Sequence, residues 1–235
     1  MPTRRWKRRA LGSSSEVQNR QHLTSERLDL DSIAKLTLAH YDERADDFWE
    51  GTRNHDVSQN IRALVDHIQG APPFTILDFG CGPGRDLKTF IELGHIAIGL
   101  EGSSRFVGMA RDQGLPILQQ NFLALELPAK IFDGIFANAS LFHVPSQELP
   151  RVLSELGATL KSGGVLFSSN PKGNNEEGWS NGRYGAFYDL ERWRTFMVGA
   201  GFVELTHYYR PAGLPRDQQK WLASVWRKTD GRIDG

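Results

Sequence analysis

From Leu28 onward apolar residues recur at helical spacing in "LDLDSIAKLTLAHYDERADDFWE", and they do so again in "HDVSQNIRALVDHIQG", where Asn54 is the expected N-cap and Gly70 the stop. Two helices therefore precede the first strand. The period then switches: "FTILDFG" reads as a strand, "RDLKTFIELG" as a helix, "HIAIGLEG" as a strand, "SRFVGMARDQG" as a helix and "PILQQ" as a short strand. The alternation continues through "IFDGIFANA", "SQELPRVLSELGATL", "GGVLFSSN" and "DLERWRTFMVGAG". Strand and helix in alternation predict an α/β domain with a parallel, doubly wound sheet. The last two strands, "FVELTHYYR" and one near "KWLASVWRK", are joined by a loop alone, which predicts an antiparallel hairpin at the sheet edge.

Composition narrows the class. With 235 residues, 39% of them hydrophobic and 24% charged, the chain is long enough to bury one sizeable core. Lys+Arg 28 balances Asp+Glu 28, so no global positive field draws the chain to nucleic acid or to an anionic membrane. Small molecules are the expected partners. A single cysteine excludes a disulfide framework and a multi-cysteine zinc site, which suits a reducing, cytoplasmic setting. No apolar run approaches membrane-spanning length. The opening "MPTRRWKRRALGSSSEVQNRQ" is basic and lacks the apolar stretch of a secretory signal. Residues 1–27 are expected to be a flexible basic tail and 28–235 one domain, with N-terminal helices over 28–70 and the core over 71–235.

Ligands on doubly wound sheets bind at the carboxyl ends of the strands, beside the point where strand order reverses. The stretch "DFGCGPG" falls there. Gly80, Gly82 and Gly84 leave the turn after the first strand bare, so a ligand can lie against backbone and the next helix N-terminus. A dinucleotide fingerprint would place a third glycine where Arg85 stands, whereas a nucleoside without phosphates tolerates the arginine. Glu101 ends the second strand, where a carboxylate can accept both ribose hydroxyls. In "QQNFLAL", Asn121 suits an adenine amino group, and Phe122 either packs on the ring or belongs to the core. Asn138 and Ala139 end the fourth strand at the same crevice. Phe142 and His143 follow them, and His143 either handles a proton or satisfies a backbone group.

Taken together these residues resemble the class I S-adenosylmethionine-dependent methyltransferases. "LDFGCGPG" is similar to their first motif, Glu101 to their ribose acid, "NF" to their adenine contact, and "FDGIFANASLFHVP" with "LKSGGVLFSS" to their later motifs. The resemblance implies an enzyme with a Rossmann-like seven-stranded sheet, using S-adenosyl-L-methionine and releasing S-adenosyl-L-homocysteine. It implies that Asp78, Gly80, Cys81, Gly82 and Gly84 line the cofactor, that Glu101 and Gly102 meet its ribose, and that Asn138 and Ala139 approach its methionine portion. Tyr41 and Trp49 would close over it from an N-terminal lid helix, although aromatic residues there equally suit a core.

The flanks carry a narrower resemblance. "HYDERADDFWEGTRNHDVSQN", "NGRYGAFYDLERWRTFMVGAGF" and "YYRPAGLPRDQQKWLASVWRK" are similar to the methyltransferase portion of ovothiol-biosynthesis enzymes, which is fused behind an iron-dependent sulfoxide synthase. This implies N-methylation of an imidazole ring in 5-thiohistidine, or in 5-selenohistidine, whose shape is the same. No synthase portion precedes the domain here, so a separate sulfoxide or selenoxide synthase is the expected supplier of substrate. Such an acceptor needs grips for its ammonium, carboxylate and second ring nitrogen. His55 and Gln59, and likewise Asp56 and Asn60, are four residues apart and would share a helix face. Asp56 would hold the ammonium and His55 or Asn60 the ring, unless the stretch is only a solvated helix start. Arg183 would clamp the carboxylate and Tyr184 wall the ring. Displacement at a sulfonium needs no Lewis acid, so no metal is expected. A methyltransferase for another small acceptor, a noncatalytic cofactor-binding partner subunit and a nucleotide-dependent oxidoreductase are the competing readings, the last disfavoured by Arg85.

Overall fold

Near-continuous apolar runs form the centre of the sheet. The computed structural model describes residues 30–229, so the basic stretch 1–27 lies outside the described residues. Strands β1 (Thr75–Phe79), β2 (Ile96–Glu101), β3 (Ile117–Gln119), β4 (Phe132–Asn138) and β5 (Leu160–Pro171) pair in parallel in the order β3-β2-β1-β4-β5. A strand covered on both faces is apolar on both: Ile76 and Leu77, neighbours on β1, are each fully buried. One face packs on α3 (Ser58–Val65) and α4 (Arg85–Glu92) through Leu64, Ile76, Phe90 and Phe136; the other packs on α6 (Leu149–Thr159) and α7 (Leu190–Gly199) through Leu77, Leu156, Trp193 and Met197. Helix α5 (Ser104–Asp112) connects β2 to β3.

The expected antiparallel edge is present, with a twist in order. β9 (Trp221–Lys228) runs against β5 on one side and against β8 (Phe202–Arg210) on the other, completing a seven-stranded sheet with β8 at its edge. β8 therefore points the same way as β5. Its last residue, Arg210, and the first of β9, Trp221, lie at the sheet end where the glycine turn sits. Strand order reverses between β1 and β4, and the crevice opens above them. No helix among the described residues is long and apolar enough to cross a membrane.

Three elements depart from the sequence expectation. The first helix is two, α1 over residues 30–43 and α2 (Ala45–Thr52), broken at Arg44, whose φ of −115° and ψ of 20° leave the helical region. The next helix starts at Ser58 and stops at Val65, instead of running from an Asn54 cap to Gly70. Asp56 causes the late start, because its Oδ1 accepts the Ser58 amide at 2.9 Å and satisfies locally a donor that a helix would have used. His55 and Asp56 thus sit before the helix, and neither shares a helical face with Gln59 or Asn60. Finally, β6 (Glu176–Ser180) and β7 (Arg183–Phe187) form a separate hairpin where only a loop was expected. Asn181 and Gly182 join them with φ of 50° and 82°, the two positive values of a type I′ turn.

Candidate active site

The chain leaves β1 through Gly80, whose φ is 75°. A Cβ there would collide with the Ser140 side chain and press on Phe122, so only glycine keeps this turn flat beneath the crevice. Gly80 and Cys81 both donate their amides to the Leu100 carbonyl, at 2.8 and 3.2 Å. Gly82 donates to Glu101 Oε2 at 3.0 Å, while Gly102 and Ser103 donate to Oε1, each at 2.8 Å. Three amides thus fix one carboxylate at the end of β2. Burial lifts the Glu101 pKa above the usual carboxylate range, and the three amides pull it back.

Above the turn lies a cavity of about 690 Å³, a size typical of small-molecule sites. Its roof is α1, which presents Ile33, Ala34, Thr37, Leu38 and Tyr41, a single stripe at helical spacing. α2 adds Phe48, Trp49 and Thr52. Asp42 bolts the roof to the start of α5, accepting Ser103 Oγ at 2.6 Å, Ser104 Oγ at 3.1 Å and the Arg105 amide at 3.1 Å. Arg85 makes a second bolt: its Nη1 donates to the Thr52 carbonyl at 2.7 Å, and its Nε and Nη2 reach the Asp86 carboxylate at 2.6 and 2.9 Å. The position a dinucleotide fold reserves for glycine here ties α4 to α2.

A buried polar chain continues from Asp86. Asn138 Nδ2 donates to Asp86 Oδ2 at 3.0 Å, Asn60 Nδ2 donates to Asn138 Oδ1 at 3.0 Å, and the Tyr208 hydroxyl donates to Asn60 Oδ1 at 2.9 Å. Asp78 lies under the turn with Oδ2 unpartnered, and burial together with the neighbouring Asp86 holds its pKa well above the ordinary range. Farther along the wall His143 is held at both ring nitrogens, Nδ1 at 2.6 Å from the Tyr184 carbonyl and Nε2 at 2.7 Å from the Tyr41 hydroxyl. A carbonyl only accepts, so Nδ1 carries the hydrogen and Nε2 accepts from the phenol. Burial depresses the His143 pKa to about 4, against the pull of the Tyr184 carbonyl and with the help of Arg183 and His40. The guanidinium carbon of Arg183 stands 5.7 Å from the centre of the Tyr41 ring. Among the described residues no carboxylate pairs with it.

A family profile described as "Methyltransferase domain" matches residues 77–168, from β1 and its glycine motif to near the end of β5. Those residues are a methyltransferase domain. An uncharacterized methyltransferase of Anoxybacillus flavithermus is 22% identical over 178 residues, 71% of this chain and 84% of that one. Trans-aconitate 2-methyltransferase of Azoarcus sp. is 35% identical over 125 residues, and the match spans about half of each chain, 50% and 48%. Among solved structures, Burkholderia thailandensis 1,6-didemethyltoxoflavin-N1-methyltransferase superposes with a TM-score of 0.64 at 19% identity, covering 95% of this chain and 94% of that one. An S-adenosylmethionine-dependent methyltransferase of Mesorhizobium loti superposes with a TM-score of 0.61 at 17% identity, covering 71% and 96%. The chain has the class I methyltransferase fold and is an S-adenosylmethionine-dependent methyltransferase.

The cavity of this methyltransferase fits its cofactor: a bare glycine turn, a fixed carboxylate at the end of β2 and an apolar roof surround one space. Gly80, Cys81, Gly82, Glu101 and Gly102 line it on the turn side, Asn121 and Phe122 at the β3 end, and Asn138 and Ala139 at the β4 end. Tyr41 and Trp49 line it from the roof. Asp78 and Gly84 do not reach the cavity; they shape the turn from behind. The Phe122 ring stacks on Phe79 at 4.2 Å between centroids, as its core role requires, and it also lines the space. Of the acceptor candidates, His55, Asp56, Phe142, His143 and Arg183 line the cavity, whereas Gln59, Asn60 and Tyr184 do not. Asn60 is fully buried in the polar chain, and Tyr184 acts through its backbone carbonyl.

Thr37, Asp86, Arg210 and Trp221 line the cavity although the sequence reading passed over them. The signal for the last two was topological, since a last hairpin whose first strand runs with the parallel set delivers its connecting end to the ligand edge. Among the described residues no group of three or more His, Cys, Asp or Glu stands together as a metal site.

Proposed function

We propose that this methyltransferase transfers the methyl group of S-adenosylmethionine to a ring nitrogen of a small imidazole amino acid such as 5-thiohistidine or 5-selenohistidine. When bound, the cofactor supplies an electrophilic methyl on sulfonium. The observation that carries the reading is Arg183, a guanidinium in the cavity wall to which no carboxylate of the described chain is paired, beside the Tyr41–His143 pair. A free amino acid brings the missing carboxylate, and a bidentate guanidinium fixes its orientation as well as its charge. Asp56 and His55 line the same cavity from the α2–α3 connection, where the Asp56 carboxylate keeps an oxygen beyond the one capping Ser58. The resemblance of the flanking segments to ovothiol methyltransferases supports the same acceptor. A fold neighbour that holds 1,6-didemethyltoxoflavin together with S-adenosylhomocysteine supports room for cofactor and small acceptor at once. Positioning supplies much of the rate of such a displacement, because the nitrogen lone pair needs only alignment with the methyl. A synthase making the thio- or selenohistidine is the partner this reading calls for.

The test is incubation with S-adenosylmethionine and 5-thiohistidine, 5-selenohistidine or histidine, with products read by mass spectrometry. A gain of one methyl on the thio or seleno compound is the expected result, and Arg183→Ala should lower its kcat/KM by roughly 30-fold to 1000-fold through loss of one charge-assisted grip. No methylated product from any of the three would overturn the acceptor assignment.

A further inference from the structure

We propose that Tyr41 and His143 form a proton relay for the methyl acceptor, and that Arg183 ties the use of this relay to the binding of an anionic acceptor. The inference rests on the cavity being the methyl-transfer site, and it does not depend on which anionic acceptor is used.

The relay is set by geometry. Tyr41 lines the cavity, and its hydroxyl donates to His143 Nε2 at 2.7 Å, while the opposite nitrogen is locked onto the Tyr184 carbonyl at 2.6 Å. The phenol hydrogen is therefore committed to the histidine, and the phenol oxygen can accept a proton from a bound ligand. Thr37 secures the arrangement from α1, its hydroxyl accepting the Tyr184 amide at 3.1 Å, so the roof and β7 hold the imidazole between them. When the lone pair of the acceptor nitrogen forms the N–CH3 bond, the electron pair of the broken S–CH3 bond stays on sulfur. The acceptor's N–H proton passes to the Tyr41 oxygen as the phenol proton passes to His143 Nε2. The histidine ends as an imidazolium with both N–H groups already partnered, and it returns its proton to solvent once the product leaves.

Alone, this base is weak. The titratable or charged groups facing the pair are Arg183 on β7, His40 on α1 and, on the phenol side, Glu101. Arg183 and His40 both oppose a positive imidazole, as does burial, and among the described residues no carboxylate pairs with Arg183. An acceptor carboxylate seated on that guanidinium removes one opposing charge at the moment the base is needed. A neutral ligand in the same cavity leaves the relay suppressed, so selection for an anion acts on the proton step as well as on affinity.

Nuclear magnetic resonance titration of the histidine rings in the full chain loaded with S-adenosylhomocysteine tests both parts. The parent should show His143 neutral, protonated on Nδ1, and titrating well below the ordinary histidine value of 6.5. Arg183→Gln should raise its midpoint by about one pH unit, and Arg183→Lys should leave it near the parent. Calorimetric binding of S-adenosylhomocysteine checks that each variant is folded. A hydrogen on Nε2, or equal midpoints in parent and Arg183→Gln, would overturn the proposal. Added 5-thiohistidine should raise the parent midpoint and leave that of Arg183→Gln unmoved. If it does not bind, the acceptor assignment fails while the first comparison still decides the relay. With any acceptor that is turned over, Tyr41→Phe should cut kcat at least 10-fold with little change in KM, and an unchanged kcat would remove Tyr41 from the proton path.

Discussion

At the scale of single residues, two side chains carry measurable consequences. Glu101 is anchored by three backbone amides, yet it borders the cavity at the end of β2, where the resemblance puts the cofactor ribose. Replacing it by Ala should weaken S-adenosylhomocysteine binding by about 2 to 4 kcal/mol, the scale of lost charge-assisted bonds. Calorimetric titration measures this, and an unchanged affinity would remove Glu101 from the cofactor site. His143 makes a different prediction. Its pKa in the fold, about 4, lies below the ordinary histidine value of 6.5, so between those limits the unfolded chain binds a proton that the fold refuses. Stability should therefore fall as pH drops from about 6.5 toward 4, by about 3 kcal/mol at most from this residue. Urea unfolding at both ends of that window should show a steeper loss in the parent than in His143→Gln. Glycines and strand-end acids were legible in the sequence because their roles are local. Asn60 was not, because its partners Asn138 and Tyr208 are 78 and 148 residues away.

At the scale of elements, α1 is the least conventional helix. Its inward stripe borders the cavity, and along it only Ile33 and Thr37 are buried, while Leu36 on another face is 53% exposed. A helix with so few apolar anchors belongs to the low-stability end of the molecule until a ligand fills the space beneath it. Amide hydrogen exchange in residues 30–43 should therefore slow on adding S-adenosylhomocysteine, and Asp42→Ala, which removes the bolt to α5, should speed it without the ligand. Protection that is already maximal in the free protein would rule this out. The helical period of this segment announced a helix but not what it covers, since apolar spacing is the same over a core and over a cavity. The β6–β7 hairpin was legible in principle: "NG" at 181–182 is the strongest short hairpin signal, but Gly178 and Gly185 broke the alternation that would have marked its strands. The Asx turn at Asp56 likewise moved a helix start by a few residues and dissolved the shared face expected for His55 and Gln59.

At the scale of the whole molecule, the alternation of strands and helices was enough to give the doubly wound sheet, because a strand buried on both faces must be apolar throughout and its crossover helix amphipathic. The position of β9 was not in that pattern. Nothing local distinguishes a strand that pairs with its sequence neighbour alone from one that also inserts between that neighbour and β5, and long-range pairing alone decides it. With 28 basic and 28 acidic residues the chain carries no net charge, so any recognition by charge has to come from local groups rather than from a global field. The insertion of β9 sets an order of events during synthesis. β8 leaves the ribosome before β9, through which it joins the sheet among the described residues, so it waits unpaired with its edge open until residues 221–228 follow. Arg210 and Trp221 enter the cavity wall only at that moment, which makes the emergence of β9 the event that closes this side of the cavity.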